Sequence, residues 1–287
     1  MNNEVALITG ATSGIGLHLS HQFASHGHPL VLVAPEAGEL DTLAGDLKAR
    51  YGIRTLCIAL DLEDTDSAAH AMEAVEGTGW KVDILVNNAG HGYKGLFWEL
   101  PIATHLSMLR LNVEAVLRMT AAFLPGMVER RRGRLLTTAS IAGFEPGPTM
   151  AVYHASKAFV LSWSEALATE LAGTGVTVTA LCPGPTDTDF FPKGDMEQSV
   201  AFQKANLMDP EEVAVEGYKA AMEGERVVVV GGLNKAMVFS RRFMSESMQA
   251  KMNEKMYEDV DDGGRQRVRG DKETAPGSAA SSTSTRP

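Results

Sequence analysis

VALITGATSGIG, residues 5–16, joins a short apolar run to a turn that carries three glycines, Gly10, Gly14 and Gly16. Val5 to Thr9 shows no polar alternation, the pattern of a strand covered on both faces. Glycine lets the backbone turn sharply and pass close to a ligand. A helix starting near Gly14 would aim unpaired N–H groups and a positive dipole end at a pyrophosphate. A glycine-rich turn alone is weak evidence; with a strand before it and a helix after it, it reads as a dinucleotide turn.

Outward from this stretch the same alternation repeats. PLVLVA (29–34), TLCIAL (55–60), VDILVN (82–87), GRLLTTAS (133–140), VTVTALC (176–182) and RVVVV (226–230) read as buried strands. Helical patterns lie near 15–26, 38–50, 65–76, 102–131, 151–172 and 210–223. Strand–helix alternation predicts an α/β fold with a doubly wound parallel sheet, and ligands in such sheets bind beyond the carboxyl ends of the strands. The fold domain spans 1–232. A helical extension follows over 233–260, with Met237, Met244, Met248, Met252 and Met256 on roughly one side. The Gly-, Ser- and charge-rich stretch 261–287 reads as a disordered tail.

The chemistry concentrates in SIAGFEPGPTMAVYHASK (140–157). Tyr153 and Lys157 are four apart in an Ala- and Leu-rich helical pattern, so they share a face. A free phenol titrates near ~10 and a free ammonium near ~10.4. A positive charge beside the phenol is expected to draw its pKa down, making it a proton donor to a carbonyl oxygen or an acceptor from an alcohol. Ser140 could hold the same oxygen by a hydrogen bond.

Other strand ends offer less specific signals. Glu36 either accepts from a ribose 2′-OH or is a solvated loop charge. Asp61 either accepts from an adenine amino group or caps the helix near Asp64. Asn112 either satisfies itself in the core or holds a water beside Lys157. Asp189 to Met208 reads as a mobile lid or a surface excursion. His18, His21, His26 and His28 have no completing carboxylate or cysteine at a known ligand spacing, so no metal is expected.

The 287 residues allow one large domain, and the formal charge of −10 argues against nucleic acid as a partner. Cys57 and Cys182 read as reduced residues of a cytoplasmic chain. No secretory leader is legible, and no uninterrupted apolar run approaches the ~20 residues of a membrane span. Lys235, Arg241, Arg242, Lys251 and Lys255 leave open a contact between the helical extension and a membrane surface.

Together these stretches resemble the short-chain dehydrogenase/reductase family, in its shorter, roughly 250-residue branch with a Rossmann-like fold. The likeness covers about Met1 to Gly232. It rests on TGATSGIG (9–16), NNAG (87–90), Asn112, Ser140, YHASK (153–157) and PGPTDT (183–188), with Ser140 thirteen residues before Tyr153. The resemblance implies an NAD(P)(H)-dependent oxidoreductase acting on a small carbonyl or alcohol. It implies Tyr153 as acid/base, Lys157 on the nicotinamide ribose, Ser140 on the substrate oxygen and Asn112 in a proton relay. It places the cofactor along Gly10, Thr12, Ser13, Gly14, Ile15, Gly16, Glu36, Asp61, Leu62, Asn88, Ala89, Gly90, Pro183, Gly184 and Thr188. It also implies a homodimer or homotetramer built on helices 102–131 and 151–172. Relatives using NADPH often carry Arg at the Pro35 position, and those using NADH often carry Asp at the Ala34 position; with neither here, Glu36 tips the expectation slightly to NAD(H). Two other functions remain open: a dinucleotide-binding sensor or scaffold without turnover, and an enoyl reductase, disfavoured because those relatives usually space Tyr and Lys more widely.

Overall fold

The runs of Val, Leu and Ile become strands because each buries both of its faces. The computed structural model describes residues 4–260. Its strands are β1 (Val5–Thr9), β2 (Leu30–Ala34), β3 (Thr55–Ala59), β4 (Val82–Asn87), β5 (Gly133–Thr138), β6 (Val176–Cys182) and β7 (Val227–Val229). All pair in parallel in the order β3-β2-β1-β4-β5-β6-β7. The order reverses between β1 and β4, and that switch point opens a crevice at the carboxyl ends of the strands.

Side chains of one strand alternate between two cores. Ala6 and Ile8 pack with Leu19, Phe23, Leu40 and Val213 on one face. Val5 and Leu7 pack with Val75, Met119, Phe123 and Leu171 on the other. The first face is covered by α1 (Gly14–Ser25), α2 (Ala37–Tyr51) and a later helix, Pro210–Glu223; the second by α3 (Ser67–Gly77), the helical stretch 102–129 and Ala151–Glu170.

The predicted helix 102–131 is continuous over 102–129, but its α-helical parts, α4 (Ile102–Leu109) and α5 (Ala115–Glu129), are separated by a π-turn at Arg110–Glu114. That stretch is long and apolar enough to cross a membrane by length and composition, and 39% of its 18-residue apolar window is buried inside the fold. Such wide turns gather at functional sites, and this one carries Asn112. Then follow α6 (Ala151–Glu170), α7 (Phe190–Lys193), α8 (Val200–Gln203) and α9 (Pro210–Glu223). The stretch expected as a lid or an excursion is a packed piece of the fold: Phe191, Met196 and Phe202 are buried in one cluster.

The single helix expected after 233 is two helices, α10 (Gly232–Ser240) and α11 (Glu246–Tyr257). Ser245 breaks the run because its Oγ accepts from the Met248 N–H and caps a new helix. The methionines do not share one side: Met237 and Met256 face the crevice, while Met248 and Met252 are exposed. The tail expected at 261–287 lies outside the described residues.

Candidate active site

The glycine turn takes its shape from positions where a side chain would not fit. Gly10 adopts φ +63°, in the left-handed region. A Cβ on Gly16 would lie 1.9 Å from the Gly10 carbonyl oxygen and 2.4 Å from Asn88 Nδ2. Ser13 caps α1 without a side-chain hydrogen bond. The first turn of α1 therefore opens onto a cavity of about 240 Å³ lined by Gly10, Ser13, Gly14 and Ile15.

Small polar groups fasten this turn to the neighbouring strands. Thr9 Oγ1 donates to the Val86 carbonyl and accepts from the N–H groups of Asn88 and Ala89 at 2.9 and 3.1 Å. Asn88 Nδ2 donates to the Thr9 carbonyl, and Asn88 Oδ1 accepts from Thr138 Oγ1. β1, β4 and β5 are thus tied together where their ends meet the cavity. Thr9 and Thr138 were not singled out in the sequence, since an isolated threonine at a strand end carries no signal.

Ser140, Tyr153 and Lys157 are buried and line one cavity with Asn88, Ala89, Gly90, Pro183, Gly184 and Thr188. Ser140 Oγ accepts from the Ala142 N–H at 3.1 Å, and its hydroxyl lies close enough to the Tyr153 phenol to lower the phenol's pKa. Lys157 Nζ donates to the Thr138 carbonyl at 2.8 Å and lies 5.9 Å from the Tyr153 ring centre. Burial drives both groups toward neutrality. It pushes the Tyr153 phenol up to about 12, against a smaller lowering by Ser140, and the Lys157 ammonium down to about 8. The expected downward pull of Lys157 on the phenol is therefore not the controlling effect in the protein alone; desolvation is.

Of the two expectations for Asn112, its side chain meets the first: it is satisfied inside the fold. Its Nδ2 donates to the His91 carbonyl (2.8 Å) and Ser156 Oγ (3.1 Å), and its Oδ1 accepts from the His91 N–H (3.0 Å). It clamps the backbone after Gly90, whose Cβ position lies 3.0 Å from Asn112 Oδ1 and 3.4 Å from Lys157 Nζ. Gly90 must stay bare for this approach.

The remaining expected positions stand away from the cavity wall. Thr12 and Gly16 shape the turn without lining the cavity, and Leu62 is buried in the core. Asp61 Oδ1 accepts from the Glu63 N–H at 2.9 Å, so it braces its own turn. Glu36 sits exposed at the start of α2 with no side-chain capping bond.

The outer wall is apolar and drawn from distant segments: Met150, Phe190, Met196, Met237, Met256 and Tyr257. The Phe190 ring lies 5.2 Å from that of Tyr153. His154 Nδ1 donates to the Glu145 carbonyl at 2.8 Å, which leaves Nε2 to accept from the Tyr257 hydroxyl at 3.0 Å. Burial lowers the His154 pKa and keeps the ring neutral, consistent with that tautomer. Tyr257 gave no sequence signal because its partner is 103 residues away.

The left-handed glycines, the open first turn of α1 and the Lys157 ammonium fit a dinucleotide laid across the switch point. Known proteins agree. The chain is 40% identical over 178 residues to the very-long-chain 3-oxoacyl-CoA reductase of Phaeosphaeria nodorum, covering 60% of this chain and 52% of that protein. It thus spans about half the length of such relatives. It is 35% identical to oxidoreductase UcpA of Escherichia coli strain K12, over 77% of this chain and 81% of that one. Among solved structures, a short-chain dehydrogenase from Sphingobium yanoikuyae in complex with NADPH aligns with TM-score 0.74 and 31% identity, covering 84% and 94% of the two chains. One from Burkholderia phymatum in complex with NAD aligns with TM-score 0.77 and 26% identity, covering 91% and 98%. Residues 4–198 match the short chain dehydrogenase family throughout, from the glycine turn past the Ser140–Tyr153–Lys157 cluster, and the chain belongs to that family.

Proposed function

We propose that the protein is an NAD(P)(H)-dependent oxidoreductase that interconverts an apolar carbonyl compound and its alcohol. The observation that carries this is the meeting of Ser140, Tyr153 and Lys157 in the same cavity as the glycine turn. The nicotinamide dinucleotide supplies hydride transfer when bound. Tyr153 gives its phenolic proton to the substrate oxygen during reduction and takes it back during oxidation. Ser140, whose hydroxyl lies beside the phenol in the same cavity, holds that oxygen against it. Lys157, fixed on the Thr138 carbonyl, presents its ammonium to the ribose hydroxyls and to a developing phenolate. Asn112 keeps the Gly90–His91 backbone in the position that leaves room for both.

Glu36 at the end of β2 disfavours a 2′-phosphate by charge, and neither Thr12 nor Ser13 supplies a cation for one, which supports NAD(H) as the better partner. The apolar wall, and the 3-oxoacyl-CoA reductases among the relatives, favour an aliphatic or bulky ketone as substrate. Ile102, Leu106 and Leu109 are exposed at i, i+4 and i+7 on α4, near exposed Phe159 on the adjacent α6, and this face fits a homodimer contact. The test is a parallel NADH and NADPH oxidation screen over aliphatic ketones, bulky aryl ketones and 3-oxoacyl thioesters. Turnover of an apolar ketone, faster with NADH, is expected. Dinucleotide binding with no turnover across the panel would instead identify a sensor.

A further inference from the structure

The α10–α11 extension turns much of its apolar surface outward. On α11 Met256 and Tyr257 face the cavity, but the other side chains held against the protein are polar. Gln249 Nε2 donates to the Arg241 and Met244 carbonyls, and Asn253 Nδ2 donates to the Pro146 carbonyl. Two further apolar side chains of the same helix, Met248 and Met252, are spaced i, i+4 and exposed at 55% and 52%. α10 buries none of its residues. Leu233 is 82% exposed, Phe239 57%, and Phe243, in the turn after it, 79%. A soluble helix pair ordinarily shows the opposite arrangement.

Charge follows the same segment. Between Gly232 and Tyr257 lie Lys235, Arg241, Arg242, Lys251 and Lys255, against only Glu246 and Glu254, in a chain whose formal charge is −10. The Arg242 guanidinium lies 5.5 Å from the centre of the exposed Phe239 ring. Two acidic residues follow directly: Glu258 is exposed, and Asp259 is tied down by Lys94 and by its bridge to Ser199. Residues 261–287 carry a single large aliphatic side chain, Val268, too little apolar surface to cover this face. The same two helices line the cavity through Met237, Met256 and Tyr257.

We propose that the outer face of α10–α11 docks on an anionic lipid surface, with Leu233, Phe239, Phe243, Met248 and Met252 entering the interface and Lys235, Arg242, Lys251 and Lys255 meeting headgroups, while Arg241 is held inward on the Phe144 carbonyl. Exposed apolar side chains ringed by cations are what such an interface binds. Docking would set the apolar wall of the cavity beside a source of apolar substrate. The proposal does not depend on the catalytic reading, because partition is measured without turnover.

The experiment is co-sedimentation of the full chain with phosphatidylcholine vesicles, with and without phosphatidylserine, across a salt series. Binding to the phosphatidylserine vesicles, weakened by salt, is expected. The Phe239→Ser/Phe243→Ser double variant should lower partition about tenfold or more, with its thermal midpoint unchanged. Lys251→Glu/Lys255→Glu, an independent variant in case the first fails to fold, should lower partition only on anionic vesicles. Wild-type protein that ignores both vesicle types overturns the proposal, as does binding that neither variant changes. A concentration-dependent dimer that Phe243→Ser dissolves, with no vesicle binding, overturns it in favour of a second copy as the occupant.

Discussion

The two sides of the cavity are made differently. The nucleotide side is fastened by backbone and short polar groups: Thr9 reaches three backbone partners, and Asn88 bridges to Thr138. The substrate side is a wall of large flexible side chains, Met150, Phe190, Met196, Met237 and Met256, drawn from separate segments and meeting the cavity through apolar atoms. Hydrogen bonds with fixed angles preserve one geometry, while apolar contacts tolerate substitution so long as volume is kept. The first side suits a ligand that never changes, and the second a substrate that varies between relatives.

Tyr153 stands on the border, and altering it separates the two sides most sharply. Tyr153→Phe keeps the ring against Phe190 and removes the proton. Turnover should fall by about 10²–10⁴-fold, while the dinucleotide dissociation constant, read by fluorescence titration, stays put. Retained turnover would show that another group moves the proton.

Acid should act on α1 behind the glycine turn, away from the cavity. His18, His21 and His28 all lie on or just after α1, and burial lowers the pKa of each, that of His21 to about 4. A histidine with a lowered folded pKa is protonated first in the unfolded chain. Its stabilising effect is present above about 6.5 and is lost as the pH falls toward 4. For His21 the loss is about 3 kcal/mol. Unfolding in denaturant at stepped pH should show this slope, and His21→Gln should flatten it; a slope unchanged by the substitution would place the acid sensitivity elsewhere.

Gly16→Ala tests how little room the nucleotide side allows. With its Cβ placed 1.9 Å from the Gly10 oxygen, the turn must move, at a cost of about 1–3 kcal/mol. Both the unfolding midpoint and dinucleotide affinity should drop. Glu36→Arg asks a finer question, because it touches specificity alone. It should shift the NADPH-to-NADH preference about tenfold toward the phosphorylated form, the value of roughly one charge-assisted contact. An unchanged ratio would mean that Glu36 is only a solvated charge.

The contrast also explains what could be read from the chain beforehand. All seven strands stood near their predicted positions, because a doubly covered strand must be apolar along its whole length. Tyr153 and Lys157 were legible because four residues is one helical turn. Ser140 required only a loop of fixed length to reach them. What escaped notice depends on contacts between distant segments. Asn112 was visible as a polar residue among apolar ones, but its grip on His91 comes from the π-turn, which no local pattern marks. Desolvation of Tyr153 outweighs Lys157 because the cavity wall closes around both, and that wall includes residues a hundred positions away. The methionine stripe after 233 was misread as one face because Ser245 starts a new helix and, within it, i, i+4 spacing drifts by roughly 40° per step, which turns Met256 from Met248 and Met252 into the cavity.

Tyr257 gives the smallest effect and the one most particular to this chain, since it lies past the end of the family match at residue 198. Tyr257→Phe leaves the ring in place and removes the donor to His154 Nε2. A buried acceptor without its partner costs about 1–3 kcal/mol, and much of that can be relieved because Tyr257 borders the cavity. The expected result is a threefold to tenfold rise, on the order of 1 kcal/mol, in the KM for an apolar ketone. Affinity for the dinucleotide and kcat should hold, since neither the glycine turn nor Tyr153 moves. An equal fall in dinucleotide affinity would show that the two sides are not separable. The extension would then support the whole cavity, and the difference between a fixed nucleotide wall and an adjustable substrate wall would be one of composition without independent mechanics.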